Sequence, residues 1–257
     1  MLATITLLTS ISVGAIYPLC FWLQFKSPLK NNFHRFHLGL PTVIVGVTLL
    51  FILPLQISDF LKTLAIVWAL LLFVLTFFYW KKEFTVPAVV SLPCLLGIYF
   101  FVQLESYFIS PSHALMLVSV LGASIFCCSL FAMNLGHWYL NVHGLPLIHL
   151  KRAVRVLHFF ILIRLGWDLY FLLSQTMLYQ GEVITEIKFI QNSDGFLLLL
   201  GLFFGTLFPF MSLFFAQEIL RLRNTQATTG VLYVILCSIL LGDIVYKYYA
   251  IKFGIYW

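Results

Sequence analysis

The chain has 257 residues, of which 62% are hydrophobic and only 9% carry a charge. A soluble domain carries about a quarter charged residues, so this composition excludes an ordinary soluble protein and indicates one that lies in a membrane. The net charge of +6 does not indicate nucleic-acid binding, because the basic residues stand at the edges of apolar segments, where they meet anionic lipid.

Eight apolar runs follow one another along the chain, most of them close to the ~20 residues that an α-helix needs to cross a bilayer. They predict an all-α fold, a polytopic transmembrane bundle of about eight helices that we treat as one domain over residues 1–257. The gaps between them are too short for a soluble catalytic domain. The runs are Leu2–Phe25, Leu38–Leu55, Leu61–Trp80, Thr85–Gln103, Ala114–Leu140, Ala153–Gln175, Gly195–Leu220 and Thr229–Ile251.

Basic residues alternate from gap to gap. The outer gaps hold only Lys62 and Lys188. The positive-inside rule makes the other, basic gaps cytoplasmic and therefore places both termini outside, as expected for a protein of a bacterial inner membrane. The basic gaps hold or adjoin Lys26, Lys30, Arg35, Lys81, Lys82, Lys151, Arg152, Arg155, Arg221 and Arg223.

Four charged side chains stand inside apolar runs and away from the ends of the runs, where each costs several kcal/mol unless it is paired or functional. Arg164 and Asp168 are four residues apart in the sixth run, and Asp243 and Lys247 are four apart in the eighth. Residues at this spacing share a helix face and lie within pairing distance. Both pairs are predicted in the outer half of the bundle, either as ion pairs that lock helix packing or as a binding pocket or proton path.

Three more polar residues stand at the outer ends of apolar runs. The fourth and fifth runs have Gln103, Glu105 and His113 there, and we expect these residues to join the two ion pairs in one outer polar cluster. Near the predicted cytoplasmic side, His137 closes the fifth run and His158 opens the sixth. A bis-histidine b-type haem uses such a pair on adjacent helices, so these two residues are candidate haem ligands.

The last run contains a short motif, LLGDIVYKYYAIKFG, with Gly242, Asp243, Tyr246 and Lys247 at its centre. It resembles the final helix of the eight-helix membrane anchors of the dimethyl sulfoxide and polysulfide reductase type, with Asp and Lys where Glu and Arg are more usual. The resemblance implies a quinol-interacting subunit without a cofactor of its own, which passes electrons to the iron–sulfur chain of a partner.

These observations favour a membrane subunit of a larger, respiratory or redox complex, surrounded by lipid and by other subunits and without a nucleic-acid partner. It would be at most a quinone-binding or non-catalytic subunit of an oxidoreductase. Quinone binding and proton transfer are assigned to Arg164, Asp168, Asp243 and Lys247, with no metal and no intrinsic cofactor. The alternatives are a structural or assembly subunit, a b-type haem subunit and a small-solute transporter.

The charge pattern makes a testable prediction about topology. A single cysteine placed after Trp257 should react with a membrane-impermeant thiol reagent added from outside, because the positive-inside rule puts both termini there. A cysteine between Lys81 and Glu83 is the control and should react only after the membrane is opened. Labelling of the C-terminal cysteine from the cytoplasmic side alone would overturn the orientation.

Overall fold

The computed structural model describes residues 1–24, 29, 32–109, 113–142 and 144–256, without the side chains of His113 and Leu178. Eight helices among these residues are long and apolar enough to cross a membrane, as the hydropathy pattern predicts. The chain is therefore an integral membrane protein of transmembrane helices. Lys26, Lys30, His143 and Trp257, which enter the sequence-based interpretation, lie outside the described residues.

The chain divides into two compact units, Met1–Ser112 and His113–Trp257, and the prediction of one continuous bundle stays a prediction. The first unit contains four spans. Its first span changes from an α-helix to a 3₁₀-helix at Tyr17–Gln24, where Pro18 has no N–H for the α-helical ladder. The α-helices of this unit are α1 (Leu2–Ile16), α2 (Phe33–Ile52), α3 (Asp59–Tyr79) and α4 (Pro87–Phe108).

The second apolar run begins earlier than the sequence indicated. The bounds Leu38–Leu55 leave His34 and His37 in the gap before this run, yet both lie in the first turns of α2 and are buried. The Tyr17 hydroxyl bonds to His37 Nδ1 at 2.6 Å, and His34 Nε2 bonds to the Tyr79 carbonyl oxygen at 3.0 Å. These partners offset the cost of burying two imidazoles, and a hydropathy pattern does not reveal them.

The second unit also contains four spans, and a small extramembrane cap. The cap is an antiparallel β-hairpin, β1 (Thr176–Tyr179) and β2 (Glu182–Thr185), followed by the short helix α7 (Glu186–Ile190). The longer helices are α5 (His113–Asn141), α6 (Ile148–Ser174), α8 (Phe196–Leu202), α9 (Phe208–Arg221) and α10 (Thr225–Phe253); the π-helical segment Phe203–Leu207 joins α8 to α9 within one span.

Glycines allow two of these helices to pack with their backbones in contact. A Cβ atom on Gly242 of α10 would lie only 2.1 Å from Gly205 Cα in the π segment. Glycine at helix interfaces permits such an approach in membranes. The contact brings the π segment against α10 at the level of the charged residues.

This contact yields a stability prediction. Gly242→Ala should destabilise the protein by about 1–3 kcal/mol, because a methyl group forced against backbone cannot be accommodated by a side-chain rotation. Gly230→Ala in the same helix is the matched control, since nothing lies within 4 Å of its added Cβ. Thermal unfolding in detergent compares them, and equal apparent melting temperatures would contradict the close contact.

Candidate functional site: a buried charge cluster in the second unit

The first ion pair that the sequence predicts is present in α6. Arg164 Nε donates to Asp168 Oδ1 at 2.9 Å, and each residue is only 3% exposed. At 1.5 Å per residue, Arg164 lies about 15 Å from the C-terminal end of α6, which is deep within a hydrocarbon core ~30 Å thick. Such a pair holds its charges in this environment only if further hydrogen bonds support it.

This support comes from Thr206, which the sequence analysis missed, and from Tyr246, which it named only as part of the motif in the last run. The Thr206 hydroxyl donates to Asp168 Oδ2 at 2.6 Å, and the Tyr246 hydroxyl lies 3.3 Å from the same oxygen. Thr206 Oγ1 and the Tyr246 hydroxyl are themselves 2.9 Å apart. Asp168 is thus held by donors from α6, the π segment and α10. Thr206 belongs to the π segment, a distortion that is frequent at functional sites.

Arg164 makes a second contact on its other side. Its guanidinium carbon lies 4.1 Å from the centroid of the Tyr246 ring, a cation–π geometry that is favourable where water is excluded. Its Nη2 atom is buried and has no hydrogen-bond partner among the described residues. Buried N–H groups of this kind usually bond to a protein group, an ordered water or a ligand.

The second predicted ion pair is also present. Lys247 Nζ contacts Asp243 Oδ2 within α10, and both residues are 9% exposed. Asp243 and Arg164 line one small cavity of about 10 Å³, together with Gly122, Ile125, Gly205, Ile239 and Tyr246. This volume is close to the smallest that holds one water molecule.

Gly122 of α5 contributes one wall of this cavity. A Cβ atom at this position would lie 3.4 Å from Arg164 Nη1 and 4.0 Å from Asp243 Oδ1. Gly122 is only half-buried. A side chain at this position would therefore lie in contact with both charged groups.

The cap closes the end of the unit nearest the cluster. An apolar group in the cap packs with the ends of α6, α8 and α10, and Tyr246 belongs to both this group and the polar cluster. Outside the membrane spans, Asp194 accepts a hydrogen bond from the Tyr179 hydroxyl at 2.7 Å, and this contact raises the pKa of Tyr179. The buried members of the apolar group are Phe171, Ile184, Phe189, Ile190, Leu198, Tyr246, Tyr249 and Ile255.

Three further sequence candidates were expected in the outer polar cluster, and their place in it stays a prediction. Gln103 and Glu105 belong to the first unit, where Glu105 is buried, and the side chain of His113 lies outside the described residues. The two candidate haem ligands contact different helices: His137 Nδ1 lies 3.5 Å from the Tyr233 hydroxyl of α10, and His158 Nδ1 lies 2.6 Å from Gln217 Nε2 of α9. Haem ligation by this pair stays a prediction.

Comparison with models of known protein families, with curated proteins and with solved structures finds no match.

The buried ion pair makes a prediction about stability. Asp168→Asn should destabilise the protein by about 3 kcal/mol or more, because removing one partner leaves the Arg164 charge uncompensated in a buried site. Glu182→Gln is the control, since it makes the same chemical change on the exposed strand β2. Apparent melting temperatures in detergent compare the variants, and equal values would contradict a buried pair.

Proposed function

We propose that this integral membrane protein is a subunit of a redox complex, and that its charge cluster exchanges protons with a membrane quinone. The cluster consists of Arg164, Asp168, Asp243 and Lys247. The observation that carries the proposal is the buried Nη2 atom of Arg164, which has no hydrogen-bond partner in the described part of the chain. Arg164 also lines a water-sized cavity together with Asp243. A guanidinium N–H and a carboxylate side by side are the groups that bind a quinone oxygen and take its proton.

The chemistry assigns different roles to the two carboxylates. A quinol loses two electrons and two protons when it becomes a quinone. The electrons pass to an iron–sulfur or haem acceptor on a partner subunit, and the protons leave one after the other through Asp243. Asp168 is enclosed by Arg164, Thr206 and Tyr246, so it acts as the fixed counter-charge that orients Arg164. In the opposite direction of electron flow the same groups supply the protons.

The size of the cavity limits where the quinone binds. A space of about 10 Å³ admits one oxygen atom or one bridging water and excludes a quinone ring. The ring therefore lies outside the cavity, on the side of Gly122, and reaches Arg164 and Asp243 through its oxygen or through the water. The apolar surface of the helices accommodates the isoprenoid tail, as membrane-facing surfaces do.

A structural role is the second candidate, and one observation favours it. Asp168 accepts hydrogen bonds from three side chains on three helical segments. Such a network fixes the positions of the segments relative to one another. In this case the cluster holds the helices together and moves no protons, and the chain is a structural or assembly subunit.

Quinone binding by selected variants distinguishes the two functions. The native assembly is purified in mild detergent, and a short-chain ubiquinone and a menaquinone analogue are titrated into it. Gly122→Val blocks the approach to the cavity without removing a charge, and Asp243→Asn removes the proton acceptor. We expect each to weaken quinone binding about tenfold, the equivalent of 1.4 kcal/mol.

The controls are Gly166→Val, whose added Cβ meets nothing within 4 Å, and Glu182→Gln in the cap. Both should bind quinone like the wild type, and melting temperatures of all variants report on folding. Absence of saturable quinone binding to the wild-type assembly, or wild-type affinity in both test variants, would overturn the quinone site and favour the structural role. A native gel of the same extract should show co-migrating iron–sulfur or cytochrome subunits, and its visible spectrum reports on haem.

A further inference from the structure

A second polar site lies in the other half of α6, far from the charge cluster. Lys151 and Arg155 of α6, together with Gln217, Leu220 and Arg221 of α9, line a pocket of about 230 Å³. Lys151 is three residues from the start of α6, and Arg221 is the last residue of α9. The pocket therefore lies at the membrane edge, at the end of the unit that the charge pattern predicts to be cytoplasmic.

The lining of the pocket is positively charged, and little of this charge is neutralised by carboxylates of the described residues. Three of the five residues are cationic, and none is acidic. No described carboxylate pairs with Lys151 or Arg155, since the salt bridges here are confined to Arg221 and Glu218. That pair is 2.7 Å long with side chains 74% and 63% exposed, so it competes only weakly with a ligand.

The geometry of the lining is fixed at two points. Arg155 Nε donates to the Lys151 carbonyl oxygen at 3.3 Å, which orients the guanidinium group. Gln217 Nε2 lies 2.6 Å from His158 Nδ1, and the His158 ring packs edge-to-face against Phe214 with ring centroids 4.6 Å apart. One amide hydrogen of Gln217 engages His158, and no hydrogen bond joins the second to another described residue.

The surroundings of the pocket indicate the kind of anion. Leu220 supplies an apolar contact inside it, and Phe159 and Phe214 expose about half of their surface on α6 and α9. An anionic lipid would place its phosphate among the cationic side chains and its acyl chains along these apolar surfaces. Basic pockets between helices at the cytoplasmic membrane edge are suited to anionic headgroups, and arginine forks match phosphate oxygens.

We propose that this pocket binds the phosphate group of an anionic phospholipid of the cytoplasmic leaflet. The site is independent of quinone chemistry, because it shares no residue with the charge cluster. In the sequence analysis the segment LKRAVR served only to predict the orientation of the chain in the membrane. The proposal assigns two of its residues, Lys151 and Arg155, to a specific ligand.

Lipid binding to the intact protein tests this proposal. The full chain in detergent is titrated with phosphatidylglycerol, cardiolipin, phosphatidylcholine and inorganic phosphate, and bound lipid is measured by native mass spectrometry. We expect one anionic lipid to bind more tightly than phosphatidylcholine. The double variant Lys151→Gln/Arg155→Gln should weaken that binding about 30-fold, roughly fivefold for each lost charge, and Arg221→Gln should weaken it about fivefold.

The matched control is Lys81→Gln/Lys82→Gln, which removes two exposed charges that are also predicted to be cytoplasmic but belong to the first unit. It should keep the affinity of the wild type. Equal binding of phosphatidylglycerol and phosphatidylcholine, or equal losses in the two double variants, would overturn the site. Displacement of the lipid by inorganic phosphate would overturn the lipid assignment in favour of a soluble phosphate ligand.

Discussion

The free-energy cost of placing charged side chains in hydrocarbon constrains how the helices of the second unit are arranged. Arg164 and Asp168 stand in the middle of a membrane span, where an uncompensated charge costs several kcal/mol. The pair is held by hydrogen bonds from Thr206 and Tyr246 and by the ring of Tyr246. Each of these partners comes from outside α6, so the ion pair can persist only if three helical segments keep their mutual positions.

Several features of the unit follow from that requirement. The π segment carries Thr206 to Asp168, and Gly205 in the same segment meets Gly242 backbone to backbone. That contact holds α10 near enough for Tyr246 to reach the carboxylate. The cap then packs on Tyr246 from the membrane surface. Because Arg164 and Asp168 are buried, the electrostatic interaction between them is stronger than it would be in solvent.

Two arginines of α6 show how the surroundings of a side chain determine what it can do. Arg164 is buried against a carboxylate and an aromatic ring, so its charge is largely committed within the protein. Arg155, nine residues earlier in the helix, is exposed and has no described acidic partner. The first is suited to a proton-exchanging site in a dry interior, and the second to an anion at the membrane edge.

The chain by itself determined the number and approximate bounds of the membrane helices, both i,i+4 ion pairs and the basic end of α6. These features depend on residues close together in the sequence, and helical spacing and hydropathy are sufficient to predict them. The tertiary structure decided the other features. These are the hydrogen-bonded burial of His34 and His37, the roles of Thr206 and Tyr246, the cap, and the cavity beside Gly122. They join residues far apart in sequence, and their meeting depends on how each helix is rotated and how closely glycines allow it to approach. A π-helical turn changes the rotation of a helix about its own axis and leaves no signal in the hydropathy pattern. Hydropathy records which residues are apolar, but not which of them face a neighbouring helix.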